Sequence, residues 1–415
     1  MSTIGALIGL AISVILIVRK VSPVYSLMAG ALLGGLLGGM SMVETVQVMA
    51  EGVKDVSPAI IRILSAGVLS GVLICTGAAV TLSNAIIRSM GERRVFLALA
   101  LATMVLCAVG VFIDVAVITV APIALAIGRR LNLSTSMLLL VMIGGGKCGN
   151  IISPNPNTII AAENFGANLS LVMFVNLIPA LIGLWFTVYI VTRLASFDSK
   201  LVPAAEEFSE CKDLPSLKAS LVTPLVTVLL LSMRPLLGIA IDPLIALPLG
   251  GMTGLICMKQ WKRLSESVNY GLQKMSSVAI LLVGTGTIAG IIKHSTIKEL
   301  FLHTLQEMNL SEVLIAPVSG SLMSAATASS TAGATLASGS FADVVVAVGI
   351  SAVWGAAMVN AGATVLDHLP HGSFFHATGG VCELNFKERM RLIPYETLIG
   401  AVLAASTTLL CILCN

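Results

Sequence analysis

The sequence predicts an all-α, polytopic membrane protein. Only 11% of its 415 residues are charged, whereas a soluble domain carries about 25% charged residues. Hydrophobic residues make up 56% of the chain, and its mean hydropathy is +0.99. Apolar runs of about 17–25 residues, the length that crosses a bilayer as a helix, recur along the sequence and predict about 12 spans. The net charge of +3 gives no reason to expect a nucleic-acid partner.

The first half of the chain, residues 1–192, alternates apolar runs with short basic segments. Arg19-Lys20, Arg93-Arg94 and Arg129-Arg130 each flank a run. Because positively charged loops stay in the cytoplasm, these basic pairs orient the helices. The apolar runs cover about residues 4–18, 23–40, 58–79, 95–111, 115–127 and 171–191.

Residues 193–218 form the only long polar stretch, and we predict that they are a cytoplasmic linker. In each half an amphipathic piece, 41–56 or 259–274, precedes an apolar run, and we expect these two pieces to be connecting arms. The second half, residues 219–415, has apolar runs at about 219–237, 241–257, 276–292, 341–358 and 392–413.

The two halves align at a constant offset. Placing the basic segments in the cytoplasm puts both termini outside and gives the second span and its partner near residue 241 opposite directions. The sequence therefore predicts inverted repeats over about 21–192 and 240–415, a design in which the binding site lies at the repeat interface near the midplane. The offset that places Gly52 on Gly271 also places Ser57 on Ser276, Gly67 on Gly286 and Gly71 on Gly290.

The most polar segment within the apolar sequence is GGGKCGNIISPNPNTIIAAE, at 144–163. Its prolines lack N–H groups and crowd the preceding turn, so a regular helix cannot continue through it. Non-helical backbone at membrane depth is tolerated only where protein or a watery cavity surrounds it. A second interruption at 360–372 lies at the matching place in the other half, and such a pair is the best sequence indicator of a transporter site. We therefore predict two broken helices that contact the substrate.

Polar residues of the two broken helices are the candidate substrate ligands. A lysine beside exposed backbone N–H groups would attract a carboxylate, and asparagine and serine side chains would hold hydroxyl groups. The alternative for the lysine is that it reaches from a loop to the membrane interface. The candidates are Lys147, Gly149, Asn150, Ser153, Asn155 and Asn157 in the first interruption, and Asn360, Gly362, Thr364, His368 and His371 in the second.

Asp114 and Asp367 are the residues predicted to carry a coupled proton. Asp114 lies between two apolar runs, where an ionisable side chain costs about 2.5–3.5 kcal/mol unless it is paired or hydrated; a surface hairpin tip or a helix cap are the alternatives. Asp367 lies beside histidine, which can relay protons, and the alternative is a solvated turn. Ser329, Ser330 and Thr331 offer oxygens to a ligand at the matching place in the second half, although small residues also allow close helix packing.

Three stretches resemble the gluconate:proton symporter family, GntP, within the ion transporter superfamily. They are GGKCGNIISPNPNTIIAAE at 145–163, TASSTAGA at 327–334 and DHLPHGSFFHATGG at 367–380, and with the hydropathy pattern the resemblance covers essentially the whole chain. It implies uptake of small hydroxy-carboxylates with protons across a bacterial inner membrane. It also implies a homodimer and two re-entrant hairpins, with Asp114 at the first tip and Ser329 to Thr331 near the second.

The sequence therefore predicts a secondary transporter that imports gluconate or a related hydroxy-carboxylate by proton symport. We expect no cofactor, no metal site and no enzymatic activity, and the sequence contains no Walker motif. Sodium coupling is an alternative, because a carboxylate is also a ligand for hard cations. An uncoupled organic-anion pore is a second alternative. The expected partners are the organic anion, a proton or sodium ion, the lipid bilayer and a second copy of the chain.

Overall fold

A computed structural model describes residues 2–19, 21–91, 94–194, 214–237, 239, 241–295, 311–370 and 372–414. Within these ranges all regular secondary structure is helical. Most of the predicted linker at 193–218 lies outside the described residues, and so does the candidate ligand His371.

The helices of the first half are α1 (Thr3–Val18), α2 (Pro23–Leu37), α3 (Met42–Cys75), α4 (Ala78–Met90), α5 (Val95–Ala108), α6 (Ile113–Leu131), α7 (Thr135–Asn150), α8 (Pro156–Asn164), α9 (Leu169–Val175) and α10 (Leu177–Leu194). The helices of the second half are α11 (Leu217–Leu237), α12 (Pro243–Cys257), α13 (Leu264–Lys293), α14 (Ile315–Thr327), α15 (Ser330–Ala347), α16 (Ala352–Gly362), α17 (Ser373–Val381), α18 (Phe386–Met390) and α19 (Ile393–Cys414).

The predicted all-helical, multi-pass architecture is confirmed. Among the described residues, four helical stretches are each long and apolar enough to cross a membrane: Met42–Cys75, Leu177–Leu194, Trp261–Lys293 and Phe386–Cys414. Helices α8 and α9 pass the same test as a pair and are bent by 113°. Further apolar helices of 10–17 residues are too short to cross a bilayer alone. Short and interrupted helices therefore build much of the membrane region.

Each half contains one helical hairpin and one interrupted helix. Helices α5 and α6 form the first hairpin, whose turn includes Gly110 at a φ of 102°. Helices α14 and α15 form the second, whose turn includes Ala328 in the left-handed conformation. Residues 151–155 separate α7 from α8, and residues 363–372 separate α16 from α17. Both predicted interruptions are therefore present in the fold.

Helices α3 and α13 cross as antiparallel partners through glycines. A Cβ atom added at Gly52 would lie 2.0 Å from the Gly286 carbonyl oxygen, and one added at Gly71 would lie 2.0 Å from the Ser267 carbonyl oxygen. Gly52 also lies against Gly290, and Gly71 against Gly271. These two contacts exchange with each other under the offset that relates the halves, so the crossing has the twofold symmetry expected of inverted repeats.

The two predicted connecting arms are not separate elements. Residues 42–56 continue into the first long span as one 34-residue helix, α3, and Pro58 lies inside it. The expectation that the span begins near Pro58 was therefore wrong as a helix boundary. A proline inside a membrane helix is tolerated because neighbouring groups satisfy the carbonyl that it leaves free. In the second half, residues 264–274 likewise continue into α13.

We predict that Gly52→Ala and Gly271→Ala destabilise the protein by similar amounts, about 1–3 kcal/mol each, because a methyl group would press on the backbone of the partner helix. Thermal unfolding of the detergent-purified protein measures the effect. Gly380→Ala is the matched control, since no atom lies within 4 Å of its added Cβ. Wild-type stability for both crossing variants would contradict the prediction.

Candidate functional site

One cavity of about 670 Å³ lies where the two hairpin tips approach the interrupted helices. Six of the residues proposed from sequence line it, and they come from both halves of the chain. The polar residues of the lining are Ser22, Asp114, Asn150, Lys274, Ser277, Thr327, Ser329, Ser330, Thr331, Asp367 and Ser373. The cavity therefore combines hydroxyl groups, an amide, two carboxylates and a lysine.

Asp114 lies in the first turn of α6, at the tip of the first hairpin, and is half-buried. Its Oδ1 accepts a hydrogen bond of 2.9 Å from the backbone N–H of Val115. Phe112 occupies the N-cap position, so Asp114 is not the N-cap residue, although its carboxylate accepts from one N–H of the first turn. Among the described residues no basic side chain forms an ion pair with it, and the residue lines the cavity.

The tip of the second hairpin presents the N-terminus of α15 to the same cavity. Ser329 is the N-cap residue, and its side chain accepts a hydrogen bond from the N–H of Ala332. Thr331 donates a 2.6 Å hydrogen bond to Oδ1 of Asn157 in the first interrupted helix. The first N–H groups of a helix and its dipole attract negative charge. A carboxylate in the cavity would therefore be stabilised at this end.

Asparagine side chains provide hydrogen bonds to the backbone at the first interruption. Asn155 caps α8 by accepting from the N–H of Thr158, and its Nδ2 donates to the backbone and side-chain oxygens of Asn150 at 2.9 and 2.6 Å. The Asn150 carbonyl, which the helix break frees, thereby gains a donor. Within the described part of the chain, Nδ2 of Asn150 and Oγ of Ser153 have no hydrogen-bond partner although both are buried. Nδ2 of Asn150 is a free donor in a residue of the cavity lining.

The two interrupted helices also contact each other. Asn360 donates a 3.0 Å hydrogen bond to Oγ1 of Thr158. Gly149 and Gly362 were expected to contact the substrate, but they lie at helix contacts rather than in the cavity lining. A Cβ on either would lie 2.2 Å from a carbonyl oxygen, that of Met104 or Pro317 respectively. Their role in the fold is close packing of each interrupted helix against its hairpin.

Lys147 forms a fully buried ion pair across the two halves. Its Nζ lies 2.7 Å from Oδ1 of Asp367 and 3.0 Å from Nδ1 of His368, and it also donates to the Thr364 carbonyl. The lysine and histidine are 0% exposed and the aspartate 3%. The alternative of a lysine at the membrane interface is therefore wrong, and so is the solvated turn considered for Asp367. The ammonium is already engaged within the protein.

A second buried ion pair, between Arg389 and Glu396, was missed by the sequence reasoning. The two side chains are 1% and 0% exposed, and one pair of their atoms lies 3.1 Å apart. The guanidinium also stacks 4.8 Å from the Phe375 ring. Arg389 lies in the basic segment before the last apolar run, for which the positive-inside rule predicts only a cytoplasmic position. Glu396, an acid inside the last apolar run, was the available signal.

A third cluster gives Arg62 its partners. The Arg62 guanidinium donates to Asp242 at 2.7 Å and to Glu163, and the side chains are 24%, 39% and 29% exposed. This cluster joins α3 to α12 and to the end of α8.

Comparisons with known proteins bear on the whole chain. The sequence model described as GntP family permease matches residues 1–414. A protein named as an uncharacterized transporter from Haemophilus influenzae is 51% identical over 409 residues, covering 99% of this chain and 98% of the relative. A gluconate permease from Pseudomonas aeruginosa is 22% identical, covering 90% and 89%. The crystal structure of the YdaH transporter from Alcanivorax borkumensis, with an unusual topology, has a TM-score of 0.61 at 13% identity, covering 89% and 88%, and shows similarity of fold.

We predict that Glu396→Gln destabilises the protein by about 3–5 kcal/mol, because it leaves a buried arginine without its counter-charge. The double variant Arg389→Met/Glu396→Gln should lose less stability than the single one, since no unpaired charge remains. Thermal unfolding in detergent measures both. A double variant that is less stable than Glu396→Gln would contradict this account.

Proposed function

Because the chain belongs to the GntP family of permeases, and is therefore a multi-pass transporter of the bacterial inner membrane rather than an enzyme, we propose that it imports gluconate or a related small hydroxy-carboxylate together with protons. The observation that carries the proposal is the cavity between the hairpin tips. It holds a carboxylate that lacks a basic partner in the described chain opposite a helix N-terminus rich in hydroxyl groups. The carboxylate can bind a proton, and the helix N-terminus with its hydroxyl groups can bind an organic anion.

The substrate carboxylate would lie at the N-terminus of α15, near Ser329, Ser330 and Thr331. There the N–H groups and the helix dipole favour negative charge. The substrate hydroxyl groups would be met by the side chains of Asn150 and Ser373, because a polyol acid needs donors and acceptors spread along its length. The lining of the cavity supports this placement.

The coupled proton would bind Asp114. Of the two carboxylates in the lining, Asp367 is held by Lys147 at 2.7 Å, and a buried ion pair is costly to break. No basic side chain in the described part of the chain forms an ion pair with Asp114, and we therefore place the coupled proton there. We therefore assign Asp367, Lys147 and His368 to holding the site together and Asp114 to coupling.

The structure supports an inward-facing interpretation of this cavity. Ser22 follows the basic segment at Arg19, and Lys274 lies on α13, which begins after the basic residues at 259–263; both line the cavity. By the positive-inside rule these segments are cytoplasmic. A smaller cavity of about 270 Å³, lined by Asp55, Glu163 and other residues, lies toward the other end of α15. Alternating access would exchange which of the two cavities reaches the site.

We predict that Asp114→Asn abolishes uptake driven by a pH gradient, because an amide cannot bind and release the coupled proton. Uptake of labelled gluconate into proteoliposomes, driven by a pH step without sodium, is the measurement. Glu266→Gln is the matched control, since it neutralises an exposed carboxylate on α13 outside the cavity lining.

Three results, from this uptake assay, from its repetition with sodium and from a counterflow assay, would contradict the proposal. Unchanged proton-driven uptake in Asp114→Asn removes this residue from coupling. Wild-type uptake that requires sodium supports the sodium-coupled alternative. Absence of trans-stimulated counterflow in the wild type indicates an uncoupled pore, because exchange requires alternating access.

We also predict that Lys274→Gln raises the KM for the anion several-fold at low ionic strength and leaves the maximal rate unchanged. Its exposed ammonium lines the cavity and attracts an anion from solution. The difference should disappear at high salt, because exposed charges are screened over about 10 Å at 0.1 M. Lys262→Gln, an exposed lysine outside the cavity lining, is the control. If Lys274→Gln instead lowered the maximal rate and high salt did not restore it, Lys274 would have a role other than attracting the anion.

A further inference from the structure

The Lys147 ammonium lies in a buried cage formed mainly by oxygen atoms. Its nearest neighbours are Oδ1 of Asp367 at 2.7 Å, the carbonyl oxygen of Thr364, Nδ1 of His368 at 3.0 Å and the carbonyl oxygen of Glu396 at 3.4 Å. The lysine reaches this cage from α7 in the first half, whereas all four neighbours belong to the second half. Helix α7 therefore contributes the lysine side chain, and the second half of the chain supplies the four atoms that surround it.

The second interruption explains why the cage exists. Helix α16 ends at Gly362, so the Thr364 carbonyl lies in non-helical backbone. Such a carbonyl at membrane depth needs a partner that carries positive charge or a hydrogen-bond donor. Glu396 contributes its carbonyl from the first turn of α19. Two backbone carbonyls and a carboxylate thus converge on one point.

The histidine lies beside both the ammonium and the carboxylate. Nδ1 of His368 lies 3.0 Å from Nζ of Lys147 and 3.2 Å from Oδ1 of Asp367, and Nε2 lies 3.1 Å from both the carbonyl oxygen of Ile393 and Oγ1 of Thr397. The three oxygen neighbours of the ammonium are electron-pair donors whichever ring nitrogen carries the hydrogen. Carboxylate and carbonyl oxygens are the groups that replace the hydration shell of a bound alkali or alkaline-earth cation.

We propose that Lys147 is a tethered cation that permanently fills a monovalent-cation site formed by the second interruption. The side chain supplies the positive charge that the cage requires, and the site is open to a soluble ion only when the lysine is shortened. Asp367 lines the main cavity, which gives an ion from solution a route to the cage. The consequence for coupling rests on the proposed function: with this position filled, Asp114 alone carries a mobile ion.

The experiment compares two substitutions that remove the charge but differ in size. Lys147→Ala leaves the cage empty and accessible, so K⁺ or Na⁺ should raise its unfolding temperature relative to choline at equal ionic strength. The expected shift is on the order of 2–4 °C at saturating ion and saturates with concentration. Lys147→Met fills the space with an uncharged chain and should show no such gain over wild type. Lys147→Ala/Asp367→Asn should lose the response, because the cage then lacks its carboxylate.

The measurement uses purified full-length protein without substrate, so it is independent of transport. A folded Lys147→Ala protein with no cation response beyond that of wild type would overturn the proposal. The proposal also fails if Lys147→Ala cannot be recovered from membranes while Lys147→Met can, since cellular K⁺ should support the alanine variant. If the wild type showed no proton-driven uptake, the proposed function would be contradicted, but the proposal that Lys147 is a tethered cation would not be affected.

Discussion

The contact between the Lys147 ammonium and the Asp367 carboxylate joins two helices that would each be unstable in a bilayer alone. Each interruption exposes backbone groups that lipid cannot satisfy. At the first interruption, Asn155 donates a hydrogen bond to the exposed carbonyl from within the same segment. At the second interruption, the donor is Lys147 from the other half. Breaking the pair would leave a buried charge uncompensated, at a cost of about 3–5 kcal/mol. The two interrupted helices must therefore move together, with the hydrogen bond between Asn360 and Thr158 as a further link.

The crossing of α3 and α13 provides a different kind of rigidity. Backbone touches backbone at its glycines, so the helices are held by van der Waals contact, with an exposed ion pair between Lys293 and Asp55 at one end. Between this crossing and the interrupted helices, the charged contact is that of Arg62 with Glu163, whose side chains are 24% and 29% exposed. An ion pair that water reaches costs far less to separate than a buried one. Strong pairs thus lie within the site, and a weaker pair lies at its boundary.

The sequence predicted the helical class, both interruptions and six residues of the cavity lining, because composition and proline chemistry are local signals. It did not predict which charges pair. Lys147 pairs with Asp367 across a separation of 220 residues, and the sequence around either residue does not indicate its partner. The positive-inside rule predicts the membrane side of the basic segment around Arg389, but it does not predict that this arginine is buried against an acid seven residues later. Gly149 and Gly362 were taken as ligands because glycine serves ligand approach and helix packing equally well.

The long separation between Lys147 and its partners also has a consequence for biogenesis. The lysine is synthesised 217 residues before Thr364 and 249 residues before Glu396. At about 5–20 residues per second, the ribosome needs roughly 10–50 s to supply these groups. During that interval the nascent first half contains an ammonium that has no permanent counter-charge. Assembly of the site is therefore a late event in synthesis, because a chain that stops before α16 lacks the counter-charge of this lysine.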